Sequence, residues 1–183
     1  MTPWLTIIGV GEGEHLTDEA RAILSSAEII IGAPRHLTRW APDSAERWSW
    51  ETPLSATIER IAAAAGRRVV VLATGDPMWF GIGVTLGRRF SPEDMLVLPV
   101  AGAFSLAAAR LGWPLAETSC LTLHGRPVAG LVRHLLPGAK LLILSHDRRT
   151  PGEVARALTA AGYGASRLTV LCEMASASET RVD

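Results

Sequence analysis

Residues 69–81, VVVLATGDPMWFG, constrain the fold more than any other stretch of the chain. Four apolar residues without alternation run almost directly into Gly75, Asp76 and Pro77, the pattern of a strand buried on both faces that ends at a polar turn. Such strands belong to parallel sheets covered by helices, and ligands of open α/β sheets gather at the carboxyl ends of the strands. The turn after Thr74 is therefore the first place to look for a site. Gly75 lets a ligand approach the backbone closely, Asp76 offers an acceptor or a helix cap, and Pro77 is expected to open the next helix because it has no amide donor to leave unsatisfied. The same spacing also describes a capped strand-to-helix turn with no ligand.

Around this stretch, strand and helix patterns alternate. A strand over 4–10 leads through the glycine-rich turn Gly9, Gly11, Gly13 to a helix over 17–26, capped by Thr17, with Asp18 and Glu19 in the first turn where negative charge suits the helix dipole. A second strand over 28–31 follows, and Arg35 and His36 lie just past it, on the edge of the Asp76 turn if both strands are parallel. Residues 33–53 hold three tryptophans and three prolines without a clean period, and read as a surface loop with a short extended piece near 48–51, its tryptophans anchored beneath it. Next come a helix over 54–65 ended by Gly66, the strand from Val69, a helix through about Phe90, a strand over 95–98, a turn and a helix over 104–111. Residues 112–119 read as a linker. Beyond it the patterns give strands over 120–123, 140–144 and 168–173, helices over 128–135 and 151–161, and a polar tail. The expectation is two α/β domains, 1–113 and 114–183, the second incomplete at its C-terminal end.

Composition narrows the function classes. Eighteen basic and eighteen acidic residues balance, so no basic surface points to nucleic acid, and no apolar run is long enough to span a membrane. The N-terminus has no signal-peptide pattern and the two cysteines are widely spaced, which suits a cytoplasmic protein. A dinucleotide fingerprint fails because the opening lacks a third glycine in register and the second strand closes on Gly32 instead of an acid. A P-loop is excluded because Lys140, the only lysine, is not in a GK[ST] context. The five histidines show no metal-ligand spacing, and no nucleophile with a partnered base is evident.

Four stretches resemble the tetrapyrrole (corrin and porphyrin) methyltransferases: IIGVGEGEHLTDEA at 7–20, GDPMWFGIG at 75–83, LPVAGAFSLAAARLG at 98–112 and LHGRP at 123–127. The third departs from the family pattern at Ala101 and Ala103, and the fourth points to the precorrin-6Y subgroup. The resemblance covers nearly the whole chain. It implies a two-domain α/β enzyme, a homodimer by family habit, which binds S-adenosyl-L-methionine in a cleft between its domains and methylates a corrinoid precursor, precorrin-6Y at bridge carbon C5, in cobalamin biosynthesis. It also implies that family members of this domain continue further and can be joined to a second methyltransferase and decarboxylase domain.

On that basis the cofactor is expected at Gly11, at Gly75, Asp76, Trp79, Phe80 and Gly81, at Ser105 and Leu106, and at Leu144 and Ser145. The polycarboxylate macrocycle is expected at His124 and Arg126, because guanidinium binds carboxylates bidentately, and at Arg35 and His36. No catalytic side chain and no metal are expected, because a sulfonium is already an activated donor and positioning dominates. Ser105 also reads as a helix cap and Leu144 as core. Other readings remain open: another tetrapyrrole methylase, a relative such as diphthine synthase, a nucleotide-dependent oxidoreductase, or a non-catalytic module on the same fold.

Overall fold

The computed structural model describes residues 3–11 and 16–183, so Gly13 of the glycine-rich opening lies outside the described residues. The chain forms two compact units, Met1–Gly102 and Ala103–Asp183.

The first unit holds β1 (Leu5–Val10), α1 (Asp18–Ser26), β2 (Ile29–Gly32), α2 (Pro34–Trp40), β3 (Glu46–Ser49), α3 (Leu54–Ala63), β4 (Val69–Thr74), α4 (Ile82–Leu86) and β5 (Met95–Leu98). The strands form one sheet in the order β3-β2-β4-β1-β5, and every pairing is parallel. β4 is central, with Val69 opposite both Leu5 and Ile29. Its unbroken apolar run serves two layers at once. Val69, Val71 and Ala73 pack with Ile61 and Ala64 near α3 and Leu86 of α4, while Val70 and Leu72 pack with Ala20 and Leu24 of α1 and Leu37 of α2. A strand that alternates faces between two apolar layers cannot admit a polar residue on either. Thr17 caps α1 as anticipated, its hydroxyl accepting from Ala20 N at 3.2 Å.

Two expectations fail here. Residues 33–53 are not a loop: they contain α2 and the edge strand β3. Pro34 sits in the first turn of α2, where its missing amide costs nothing, and Leu37 and Ala41 bury one side of a helix too short to show a period. The tryptophans do act as anchors, Trp48 and Trp50 against one layer and Trp40 against the other. The helix expected from Pro77 to about Phe90 is also shorter, because α4 spans only Ile82–Leu86. Gly75 (φ +67°) and Phe80 (φ +58°) take left-handed backbone conformations that no α-helix accommodates.

The second unit holds α5 (Ala103–Leu111), β6 (Ser119–Thr122), β7 (Leu141–Leu144), α6 (Thr150–Ala160), β8 (Val170–Cys172) and β9 (Thr180–Val182), with 3-10 turns at Leu115–Glu117 and Val128–His134. β6 and β7 pair in parallel, whereas β8 and β9 form an antiparallel hairpin. Even-numbered Leu142 and Leu144 face Phe104, Ala107 and Ala108 of α5; odd-numbered Leu141 and Ile143 face Leu131 and Val154. Burial of Phe104 with Leu142 is why the compact units divide before α5 instead of at the 112–119 linker. The helix expected over 128–135 is a 3-10 segment. The polar tail supplies β9, closed onto α5 by a bidentate pair in which Arg110 Nε and Nη2 donate to Glu179 at 2.6 and 2.9 Å.

Candidate functional site

Parallel pairing places the turns after β1, β2, β4 and β5 at one edge of the first sheet. The tightest of them is the turn after β4. Gly75 N donates to Val10 O at 2.9 Å, and a side chain on Gly9 would lie 2.3 Å from Gly75 O. At Gly75 itself an added Cβ would meet Gly102 Cα at 2.9 Å. The chain's own backbone thus fills the place where a side chain on Gly75 would be, a second reason for glycine beside its positive φ. Asp76 serves as an acceptor, its Oδ1 taking Met78 N at 2.8 Å and closing an Asx turn. The loop then presents Met78, Trp79 and Phe80, each between 40 and 49% exposed, a concentration of apolar surface that a polar turn does not need.

Beside it, the sheet brings Arg35 and His36 to Thr74. Arg35 Nη2 donates to Thr74 Oγ1 at 3.1 Å and Arg35 Nε to His36 Nε2 at 3.3 Å. These residues line a cavity of about 80 Å³ with Val10, Gly11, Arg39 and Trp40. The parallel-strand reasoning placed Arg35 and His36 at the edge of the β4 turn; the structure adds Gly11, expected at the cofactor, and Arg39 and Trp40, which come from the helix concealed in the presumed loop.

The second unit carries two further cavities. One, of about 290 Å³, is mostly apolar and is lined in part by Ala103 and Phe104 of α5, Leu144 and Ser145 at the end of β7, and Leu171 and Met174. Leu144 and Ser145 thus line a cavity large enough for a flat heterocycle. Ser105 and Leu106 are half-buried on α5 and outside that lining, and Ser105 is the third residue of the helix, not its cap.

The other cavity, of about 310 Å³, is lined by residues that include Gly125, Arg126, His146, Asp147, Thr150 and Glu153. His124 and His146 lie with ring centroids 5.0 Å apart. His146 was missed by sequence reasoning, although a signal was present: Thr122 and Leu144 are paired in register, and each histidine follows two residues later. Asp147 is occupied structurally. Its Oδ1 accepts from Arg149 N at 2.8 Å and Thr150 N at 3.1 Å, and these backbone donors, Arg149 first, hold its carboxyl below the usual range. Among the described residues no group of three or more His, Cys, Asp or Glu is arranged to hold a metal ion.

A fully parallel sheet with a tight GDP turn, followed by a second α/β unit with an apolar strand-end cavity, places the chain among α/β proteins with room for small molecules at strand ends. The family described as Tetrapyrrole (Corrin/Porphyrin) Methylases matches residues 5–182, and the chain belongs to it. It is 42% identical over 182 residues to a precorrin-6Y C(5,15)-methyltransferase [decarboxylating] of Sinorhizobium sp, covering 98% of this chain and 44% of that protein. It is 32% identical over 180 residues to a cobalt-precorrin-7 C(5)-methyltransferase of Salmonella typhimurium, covering 97% of this chain and 88% of the relative. Among solved structures, the precorrin-6Y methylase of Archaeoglobus fulgidus superposes with a TM-score of 0.69 at 26% identity, over 99% of this chain and 88% of the other. The chain spans less than half the length of the precorrin-6Y C(5,15)-methyltransferase it matches.

Proposed function

We propose that this chain transfers the methyl group of S-adenosyl-L-methionine to bridge carbon C5 of a precorrin in cobalamin biosynthesis. One observation carries the reading: a relative named for C(5) methylation alone is matched over 88% of its length, whereas the relative named for C(5,15) methylation and decarboxylation is matched over only 44%. The part in common corresponds to the C5 reaction. C15 methylation and decarboxylation are then assigned to the portion of the longer relative that this chain does not match.

The local chemistry supports it. The 290 Å³ cavity offers an apolar slot for adenine with the Ser145 hydroxyl at its rim, and the Gly75–Gly81 turn offers backbone donors and the Asp76 carboxylate to ribose and amino-acid groups. His124 and Arg126 suit the carboxylate arms of the macrocycle. A strong nucleophile is unnecessary: the bridge carbon donates its electron pair to the methyl carbon, the carbon–sulfur bond breaks, and S-adenosylhomocysteine leaves. Holding the three atoms in line supplies the rate. In this reading the active protein is a cytoplasmic homodimer. Light scattering at tens of micromolar should give twice the chain mass if so.

The test is incubation of the purified chain with S-adenosylmethionine and the metal-free or cobalt-bearing precorrin, with mass and NMR analysis of the product. A product one methyl group heavier, substituted at C5, is expected. Absence of S-adenosylhomocysteine binding by calorimetry would refute the methylase reading, and binding of reduced nicotinamide in its place would favour an oxidoreductase.

A further inference from the structure

We propose that Arg35, Arg39 and the buried His36 form a carboxylate-binding pocket in the first unit which, if the methylase reading above holds, receives one acetate or propionate arm of the tetrapyrrole. His36 is only 7% exposed, yet its Nε2 faces two polar neighbours, Arg35 Nε at 3.3 Å and Thr74 Oγ1 at 3.4 Å. Arg35 Nη2 donates to the same Thr74 oxygen at 3.1 Å. The donor and acceptor assignments follow from the chemistry of each group. Guanidinium only donates, so Nε2 accepts and the imidazole proton sits on Nδ1. With the single Nε2 lone pair taken by Arg35, the Thr74 hydroxyl takes part as the acceptor from Arg35 Nη2.

The result is a three-residue network that grips Arg35 at two of its nitrogens and so fixes the guanidinium plane. A planar fork held in advance loses little freedom when it meets a carboxylate, which is what distinguishes a binding arginine from a surface one. Arg39 follows four residues later on α2 and lines the same cavity, its guanidinium carbon 4.7 Å from the centre of the Trp40 ring. A space of about 80 Å³ admits a carboxymethyl-sized group, so a ligand can enter by an arm. The position also fits. Thr74 is the last residue of β4, so an arm held here lies at the start of the Gly75 turn.

The probe is uroporphyrin III, whose side chains are acetates and propionates, titrated against the full chain by fluorescence quenching while S-adenosylhomocysteine is titrated by calorimetry. Arg35→Ala should weaken uroporphyrin binding on the order of tenfold and change the cofactor affinity by less than about twofold. Arg35→Lys should recover only part of the loss. Because His36 acts through Arg35, His36→Gln should weaken binding in the wild-type background and have little further effect beside Arg35→Ala. Thr74→Val removes a bond to the same guanidinium from a solvent-exposed position, and replaces the histidine variant if that one fails to fold. Unchanged uroporphyrin affinity in folded Arg35→Ala, additive losses in the cycle, or no binding by wild type would overturn the pocket. Precorrin turnover is measured alongside. Arg35-dependent binding without turnover keeps the pocket and counts against the methylase reading, whereas turnover with Arg35-independent binding does the reverse.

Discussion

Gly75 reads in the sequence as a place where a ligand can approach the backbone, and the structure adds that Gly102 occupies the place of its missing side chain. Its φ of +67° and the 2.9 Å approach of Gly102 Cα to a built Cβ act together, since a valine there is strained in conformation and has no room. Gly75→Val should therefore cost about 2 to 4 kcal/mol of folding stability, read as a fall in the urea midpoint at constant m-value. A variant as stable as wild type would mean that the turn opens readily. The residue-level site was only partly legible for the same reason. Strand-end logic pointed to Arg35 and His36, which lie just past a recognisable strand, whereas His124 was named from the resemblance of LHGRP. It missed Arg39, four positions along a helix with no visible period, and His146, whose equivalence to His124 depends on a pairing of β6 with β7 that no single strand reveals. Trp79 and Phe80 were legible as part of a motif. Their exposure was not, because aromatic residues after a buried strand usually continue the core.

Elements were recognised where one physical signal dominated. β1, β4, β5 and β7 are apolar runs with polar ends, and α1 begins at a capping threonine, so their positions follow from burial and hydrogen-bond satisfaction. β9 gave no such signal: all three of its residues are exposed, and it is held by pairing with β8 and by the Arg110–Glu179 contact between positions far apart in sequence. The start of α6 is better determined. Thr150 is 2% exposed and its hydroxyl accepts from His146 N and Asp147 N at 3.1 Å each, so Thr150→Val should cost about 1 to 3 kcal/mol through amides left unsatisfied, measured by thermal or urea unfolding. Glu179 offers a pH handle on the hairpin. Donation from Arg110, and next from Ala175 N, lowers its carboxyl from 4.5 to about 2. The folded state thus binds the proton less readily than the unfolded state, so the stabilisation is complete above pH 4.5 and is lost as pH falls toward about 2. The wild-type advantage over Glu179→Gln in urea midpoint should hold from pH 7 to pH 5 and shrink below 4.5. An advantage unchanged at pH 3 would show that the ion pair contributes nothing there.

At the scale of the whole molecule, the proposed reaction asks one chain whose 18 basic and 18 acidic residues cancel to hold two ligands of different electrostatic character, so attraction of a polycarboxylate has to be local. The cofactor carries one carboxylate offset by its own ammonium and sulfonium, whereas a precorrin carries many acetate and propionate groups. Arg126 is exposed at the 310 Å³ cavity of the second unit, and the surrounding water limits what one guanidinium contributes. Arg126→Ala should therefore weaken the macrocycle by about three- to tenfold while leaving S-adenosylhomocysteine within about twofold, and Arg126→Lys should fall between. Because the contact faces solvent, the wild-type advantage should shrink as salt is raised from about 50 mM to about 500 mM, since screening over a Debye length of a few ångströms acts on exposed pairs first. Arg35 is exposed as well, so its contribution should shrink over the same range. Paired titrations of both ligands on wild type, Arg126→Ala and Arg35→Ala at the two salt concentrations measure both effects. Equal losses for both ligands in Arg126→Ala would show that the HGR turn supports the fold, and salt-independent binding of the macrocycle at Arg126 would contradict an exposed contact.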